Sequence, residues 1–406
     1  MNPRAITGWY QTAARAWLTL AAISMLLPPQ DRLGLWVPLH LVLAGAIATA
    51  ISGAMQNFMQ SLTATRAPPA WITWAQLGLV IAGAALVAIG TSVTARPVVA
   101  VGGTSFVLAM AILAWMLWRA WHRSLNKRHV LPLAAYAAAL AAVLLGGTLG
   151  ALMGSGAVSG ELYGHFRRAH MTLNVLGFAS LTVVGTLVTL LPTTLRVRIP
   201  PWPGRTVLVL FGGGLVLQLV GWSLGSTPVL TVGGALYAAG ALGVLGLVVS
   251  VLRVERRWRP PLAALHMMAA AAWFVWGALG LAWALAHDGF DEYRTTFLVA
   301  FVGGWLVQVL LGAWSYLLPM QRPAHPDVRR RLLAAFEVAA LFQLVVLNGG
   351  LVLLALRGAG SVGPGTGGVA VVLAATGVAL GLTKAWLFPL IGRGPVDSER
   401  ARAVWG

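Results

Sequence analysis

Cysteine is absent from the 406-residue chain, and acidic residues are scarce, 10 Asp and Glu against 28 Lys and Arg. Without thiols this chain can supply no disulfide, iron–sulfur cluster, thiolate metal ligand, Cys-x-x-Cys-His heme attachment or two-cysteine copper site. A cofactor has to be held by histidine, methionine or oxygen. Charge of either sign is rare at 9% of residues, whereas 58% are apolar and the mean hydropathy is +0.81. A chain so composed lacks the polar surface of a soluble protein of its length.

What the chain does contain is long apolar runs. Twelve are found, over 12–29, 36–61, 70–95, 98–120, 130–154, 168–192, 204–224, 227–252, 261–286, 295–319, 332–356 and 368–391, each near the ~20 residues that cross a bilayer. Lipid offers no water to an open backbone, so every run is expected to be a helix. The fold class is therefore all-α: a single polytopic bundle of twelve transmembrane helices, with the lipid bilayer as its first partner. Of the 28 basic residues, 22 lie at the termini and on one set of alternate loops and 6 on the other set. The positive-inside rule then predicts a multi-pass protein of the cytoplasmic (inner) membrane with both termini cytoplasmic. The densest clusters, Arg253/Arg256/Arg257/Arg259 and Arg329/Arg330/Arg331, are expected to face anionic headgroups, so the net charge of +18 reads as topology and lipid contact and not as nucleic-acid binding. The first run ends in Leu-Pro-Pro-Gln without a small-x-small site and is read as a span, not a cleaved signal.

Spans two, six and ten each carry two glycines eight residues apart: Gly45/Gly53, Gly177/Gly185 and Gly304/Gly312. The last two also share a Leu-Leu-Pro, ending at Pro192 and Pro319. A recurrence every fourth span suggests three pseudo-symmetric four-helix units, 1–129, 130–258 and 259–406, with the glycines letting helices or a flat cofactor approach closely.

The sixth span is capped by arginine at both ends and holds His170 just inside its first end, beside Arg167 and Arg168. A polar ring in hydrocarbon needs a partner, and a metal or heme is one that would also use it. His40 on span two lies at a similar depth. Asn174, four residues after His170, shares its helix face and is placed to orient it.

The run His170, Leu173, Asn174, Gly177-Phe178, Gly185-Thr186, Leu191-Pro192 resembles the heme-ligating helix of the heme-copper oxidase and nitric oxide reductase large subunits. Those subunits also have twelve spans in three groups of four, with metal ligands on spans two, six, seven and ten. The stretch Val307 to Pro319 is similar to twelve-span bacterial membrane proteins associated with copper nitrite reductase or multicopper oxidase domains, and the NnrS family, linked to nitric oxide stress, is similar in architecture. The resemblance implies heme b, one or two, with His170 as a ligand; similar depth makes His40 the expected second ligand, with His165 and His287 as alternatives to it, Arg167, Arg168 and Arg294 suited to the propionates and Gly177 admitting the ring. It also implies electron transfer or nitric oxide and respiratory chemistry, with a periplasmic or extracellular cytochrome or copper protein, a second copy of the chain or a respiratory complex as partner.

The departures matter as much. Span seven has no histidine, and span ten has Phe297 where the glycine register places His170. The family's oxygen- or nitric-oxide-reducing centre is therefore not expected. His266, with Met267, Met268, Trp273 and Trp276 near it, lies toward the other membrane face, too deep to share a metal with His170, and is either a core histidine or a contact to a second heme or quinone. Glu337 and Lys384, at comparable depth on spans eleven and twelve, are expected to pair or to relay protons. The rival readings are a transporter or channel without heme, with these polar residues lining a pathway, and a structural subunit of a respiratory complex.

Overall fold

The computed structural model describes residues 3–124, 129–198, 200–255, 260–321, 325–363 and 365–391. Among them the chain forms twelve helical rods and no strand. These are α1 (Pro3–Ser24), α2 (Trp36–Thr63), α3 (Ala70–Ser92), α4 (Arg96–Arg123), α5 (Val130–Gly154), α6 (Glu161–Leu195), α7 (Gly204–Leu224), α8 (Thr227–Val254), α9 (Leu262–Ala286), α10 (Arg294–Gln321), α11 (Pro326–Gly358) and α12 (Thr366–Leu390). Eleven of them, α2 to α12, are long and apolar enough to cross a membrane. The all-α, multi-pass bundle expected from composition is the fold. Of the arginine clusters, Arg256, Arg257 and Arg259 lie outside the described residues.

Two boundaries differ from expectation. The first rod runs over Pro3–Ser24 and not 12–29: it stops short of Pro28-Pro29, and it gains residues 3–11, of which Gln11 is buried against Trp314. The expected span 332–356 is two helices, Pro326–Glu337 and Ala340–Gly358, because Ala339 adopts a left-handed φ of 52° and breaks the rod inside its apolar stretch.

Helices α2, α6 and α10 touch one another and form the centre. The apolar windows of α6 and α10 are 83% and 78% buried, against 28% for α11 and α12, which are left uncovered over most of their surface. Each central helix contains one π-helical stretch: Leu41–Ile47, Thr172–Ala179 and Val299–Val307. Laid on the glycine register, the three stretches coincide to within a residue at each end.

This placement accounts for the eight-residue glycine spacing. On a regular helix, eight residues overshoot two turns by about 80°, so the two glycines would face different neighbours. The wider π turn absorbs the extra residue. Gly45 and Gly53 accordingly both face α1, at Trp17 and Tyr10; Gly177 and Gly185 face α5, at Ala142 and Ala135; Gly304 and Gly312 face α9, at Trp273 and His266. Each eight-residue pair meets a seven-residue pair on the preceding or partner rod.

The sector between α6 and α10 is filled. Phe211, Tyr237, Phe274, Phe301 and Trp305 are all buried there, with Phe274 stacked on Trp305 at 4.5 Å between centroids. Trp305 Nε1 donates to Ser180 Oγ at 3.1 Å, and Tyr237 Oη donates to the Leu176 carbonyl within the π stretch at 2.9 Å. The rods of the first and last spans also meet, the guanidinium of Arg15 donating to the Ala385 carbonyl and lying over the Trp386 ring at 4.6 Å.

Candidate functional site

His170 projects from α6 onto α5, where two glycines make room for it. A Cβ on Gly150 would stand 2.5 Å from His170 Cε1, and one on Gly146 would stand 2.7 Å from Asn174 Nδ2. Nδ1 of His170 lies 2.8 Å from the Gly146 carbonyl. A carbonyl only accepts, so in the neutral ring this shorter contact puts the proton on Nδ1 and leaves the lone pair on Nε2; the Asn174 amide nitrogen, itself a donor, then touches Nδ1 without a hydrogen bond. Asn174 donates from Nδ2 to the His170 backbone carbonyl at 2.7 Å, and that nitrogen is 3.2 Å from Nδ1. The side chain thus braces the histidine's own turn.

His40 repeats the pattern on α2. Its Nδ1 donates to the Trp36 carbonyl at 2.8 Å, and the Trp36 indole stacks on the ring at 3.8 Å. Here too Nε2 is left as an acceptor. Both histidines keep part of their surface open, and the two rings lie near enough for their charges to interact. The fold therefore brings these two rings, from spans four apart, into one region.

At the same end of the bundle, Arg168 donates to Asp291 at 2.8 Å and Arg167 stands 3.7 Å from the same carboxylate. The Arg168 hydrogen bond holds the Asp291 carboxyl below the usual carboxylate range, with the charges of Arg168, Arg167 and Arg294 adding to it. Three guanidinium groups thus converge on one acid. Arg168 also lies over the Trp222 ring at 5.2 Å, and its Nε is buried without a partner.

Other expected site residues stand elsewhere. Gly177 packs on Ala142, where a Cβ would come within 2.6 Å, so it serves helix contact. His266 sits at the opposite, arginine-rich end, fully buried against Gly312, its Nε2 3.2 Å from Gln343 Nε2. Glu337 and Lys384 are neighbours without a direct bond. Glu337 accepts from the Leu262 N–H at the start of α9, at 3.0 and 3.1 Å, whereas Lys384 donates to the Phe336 carbonyl and to Gln343. The expected pair is each residue satisfying a helix end, which removes the cost of two bare charges without bringing them together. Phe297, in the His170 register, stacks on Phe290.

Gly146, Gly150, Trp36, Asp291 and Gln343 were not singled out from the sequence. The four-residue glycine spacing on span five was the available signal, since it marks a face where another helix comes close. No family model matches the chain, and no curated protein matches it.

Proposed function

We propose that the chain is an integral membrane protein that binds heme b between His40 and His170 and serves electron transfer or nitric oxide handling. The observation that carries this reading is the convergence of two histidines from α2 and α6, each with Nδ1 tied to a backbone carbonyl. That arrangement leaves Nε2 bare, the form in which imidazole ligates iron. Their partly open surface leaves the rings accessible to a ligand. When bound, the heme supplies one-electron exchange.

The chain's own residues would do the rest. The Gly146 and Trp36 carbonyls hold the tautomers, Asn174 braces the His170 turn, and Arg167, Arg168 and Arg294 offer more positive charge than Asp291 neutralises, enough to meet propionates. By the positive-inside rule this end faces the periplasm or exterior, where the same arginines would meet an acidic cytochrome or copper protein. The aromatic filling between α6 and α10 takes the sector in which the resembling subunits keep their reducing centre, which favours electron transfer over oxygen reduction.

A reduced-minus-oxidised visible spectrum of the purified protein tests this. A b-type band is expected, lost in His40→Ala and in His170→Ala and kept in His266→Ala. Absence of the band, or its survival in both of the first two variants, refutes the assignment. A transporter reading draws on the break in α11 beside Lys384, since broken helices with polar residues line substrate sites; it predicts solute flux by protein grown without heme.

A further inference from the structure

Around the break in α11, hydrogen bonding fixes where protons are. Lys384 donates to the Phe336 carbonyl at 2.9 Å and to Gln343 Oε1 at 2.7 Å. Turned this way, Gln343 presents its amide nitrogen to Nε2 of His266 at 3.2 Å. An ammonium has no acceptor, and neither does an amide NH2. His266 must therefore accept at Nε2, which makes it neutral with its proton on Nδ1. That Nδ1 is buried without a partner.

The charges around the cluster are few. Glu337 faces it from the first half of α11, near enough for its charge to act on Lys384. Arg15 reaches from α1 to the carbonyl of Ala385, the residue after Lys384. From α10 comes Gly312, which packs on His266 and has no titrating group. One carboxylate already stands against two cations, and a third cation in this low-dielectric place would lack compensation.

We infer that Lys384, Gln343 and His266 form a one-proton site: it holds a single positive charge, on Lys384 in the arrangement described, and His266 takes the proton only when Lys384 gives it up and the Gln343 amide turns over. The transfer is balanced. Nζ loses a proton and keeps its lone pair, Nε2 gains that proton and donates it to Gln343 Oε1, and the amide nitrogen donates to Nζ. Because Lys384 also holds the Phe336 carbonyl at the end of the first half-helix, the proton's position is tied to the break in α11. The inference is independent of heme.

Solid-state NMR of the full chain in liposomes, labelled with 15N-histidine and assigned by difference against His266→Asn, reads the ring directly. At neutral pH His266 is expected to carry hydrogen on Nδ1 only. In Lys384→Met its protonation midpoint is expected to rise by a pH unit or more, a tenfold gain in proton affinity. In Gln343→Glu, a carboxylate accepts from both sides, and His266 is expected to be doubly protonated at neutral pH with Lys384 in place. A wild-type ring with hydrogen on Nε2 overturns the inference, as does an unchanged titration in the variants. Should Lys384→Met not fold, the wild-type tautomer and Gln343→Glu still decide it.

Discussion

Gly150 on α5 and His170 on α6 approach so closely that a methyl group on the glycine would stand 2.5 Å from Cε1 of the imidazole. The Gly150→Ala variant must therefore turn the ring or part the helices, at about 1–3 kcal/mol. We expect it to purify with little heme, whereas Gly246→Ala, which opens onto free space, keeps its full complement. Heme absorbance per chain separates the two, and equal heme content would show that the ring's position is immaterial.

The tighter glycine of each central helix should be the costlier to replace. Added Cβ atoms would stand 2.5 Å from Tyr10 at Gly53, 2.6 Å from Ala142 at Gly177 and 2.3 Å from Trp273 at Gly304. Each alanine variant is expected to lose about 1–3 kcal/mol of stability, read as a lower melting temperature in detergent. Gly212→Ala, with no neighbour within 4 Å, should melt like the parent.

Asp291 gives the pH dependence at the arginine cluster. Its folded-state pKa is lowered, chiefly by the Arg168 hydrogen bond, so its contribution is present above the ordinary carboxylate value and is lost as pH falls through the lowered one. Because the pair is half-exposed, the effect is at most about 1 kcal/mol. Melting curves of Asp291→Asn should lie below the parent's near neutral pH and merge with them in acid. A constant gap across that range would assign the effect to packing.

Trp305 anchors the filled sector. Trp305→Ala removes the stacking on Phe274 and the bond to Ser180, and a cost of about 3–5 kcal/mol is expected. Trp71→Ala, 69% exposed, should cost far less. Comparable losses in the two variants would mean that the aromatic cluster contributes no special stability.

Apolar run length was enough to place eleven rods, because a lipid-spanning segment has few alternatives to a helix. The glycine pairs were visible too, but their eight-residue spacing carried a second message, the π turn, which shows only when the partner helix is known to count in sevens. The break at Ala339 had no such signal. No glycine or proline stands there; the rod is interrupted where Lys384, distant in sequence, satisfies the Phe336 carbonyl that the break frees. The start of α1 was misread for a related reason, since Gln11 looks like a surface residue until Trp314 is in place to bond it. Likewise, Asn174 could be read from α6 as a brace for His170, whereas the Gly146 carbonyl of α5 that holds its Nδ1 could not.

The bond from Arg15 to Ala385 spans 370 residues of sequence, and it has a consequence for biogenesis. The first rod is made bearing a guanidinium whose acceptor has not yet been synthesised. Until the twelfth rod arrives, that charge has to be sheltered by water, headgroups or the insertion machinery. Ribosome-bound intermediates truncated before α12 should accordingly keep their first helix near the interface, and the bundle should lock only when its last helix docks.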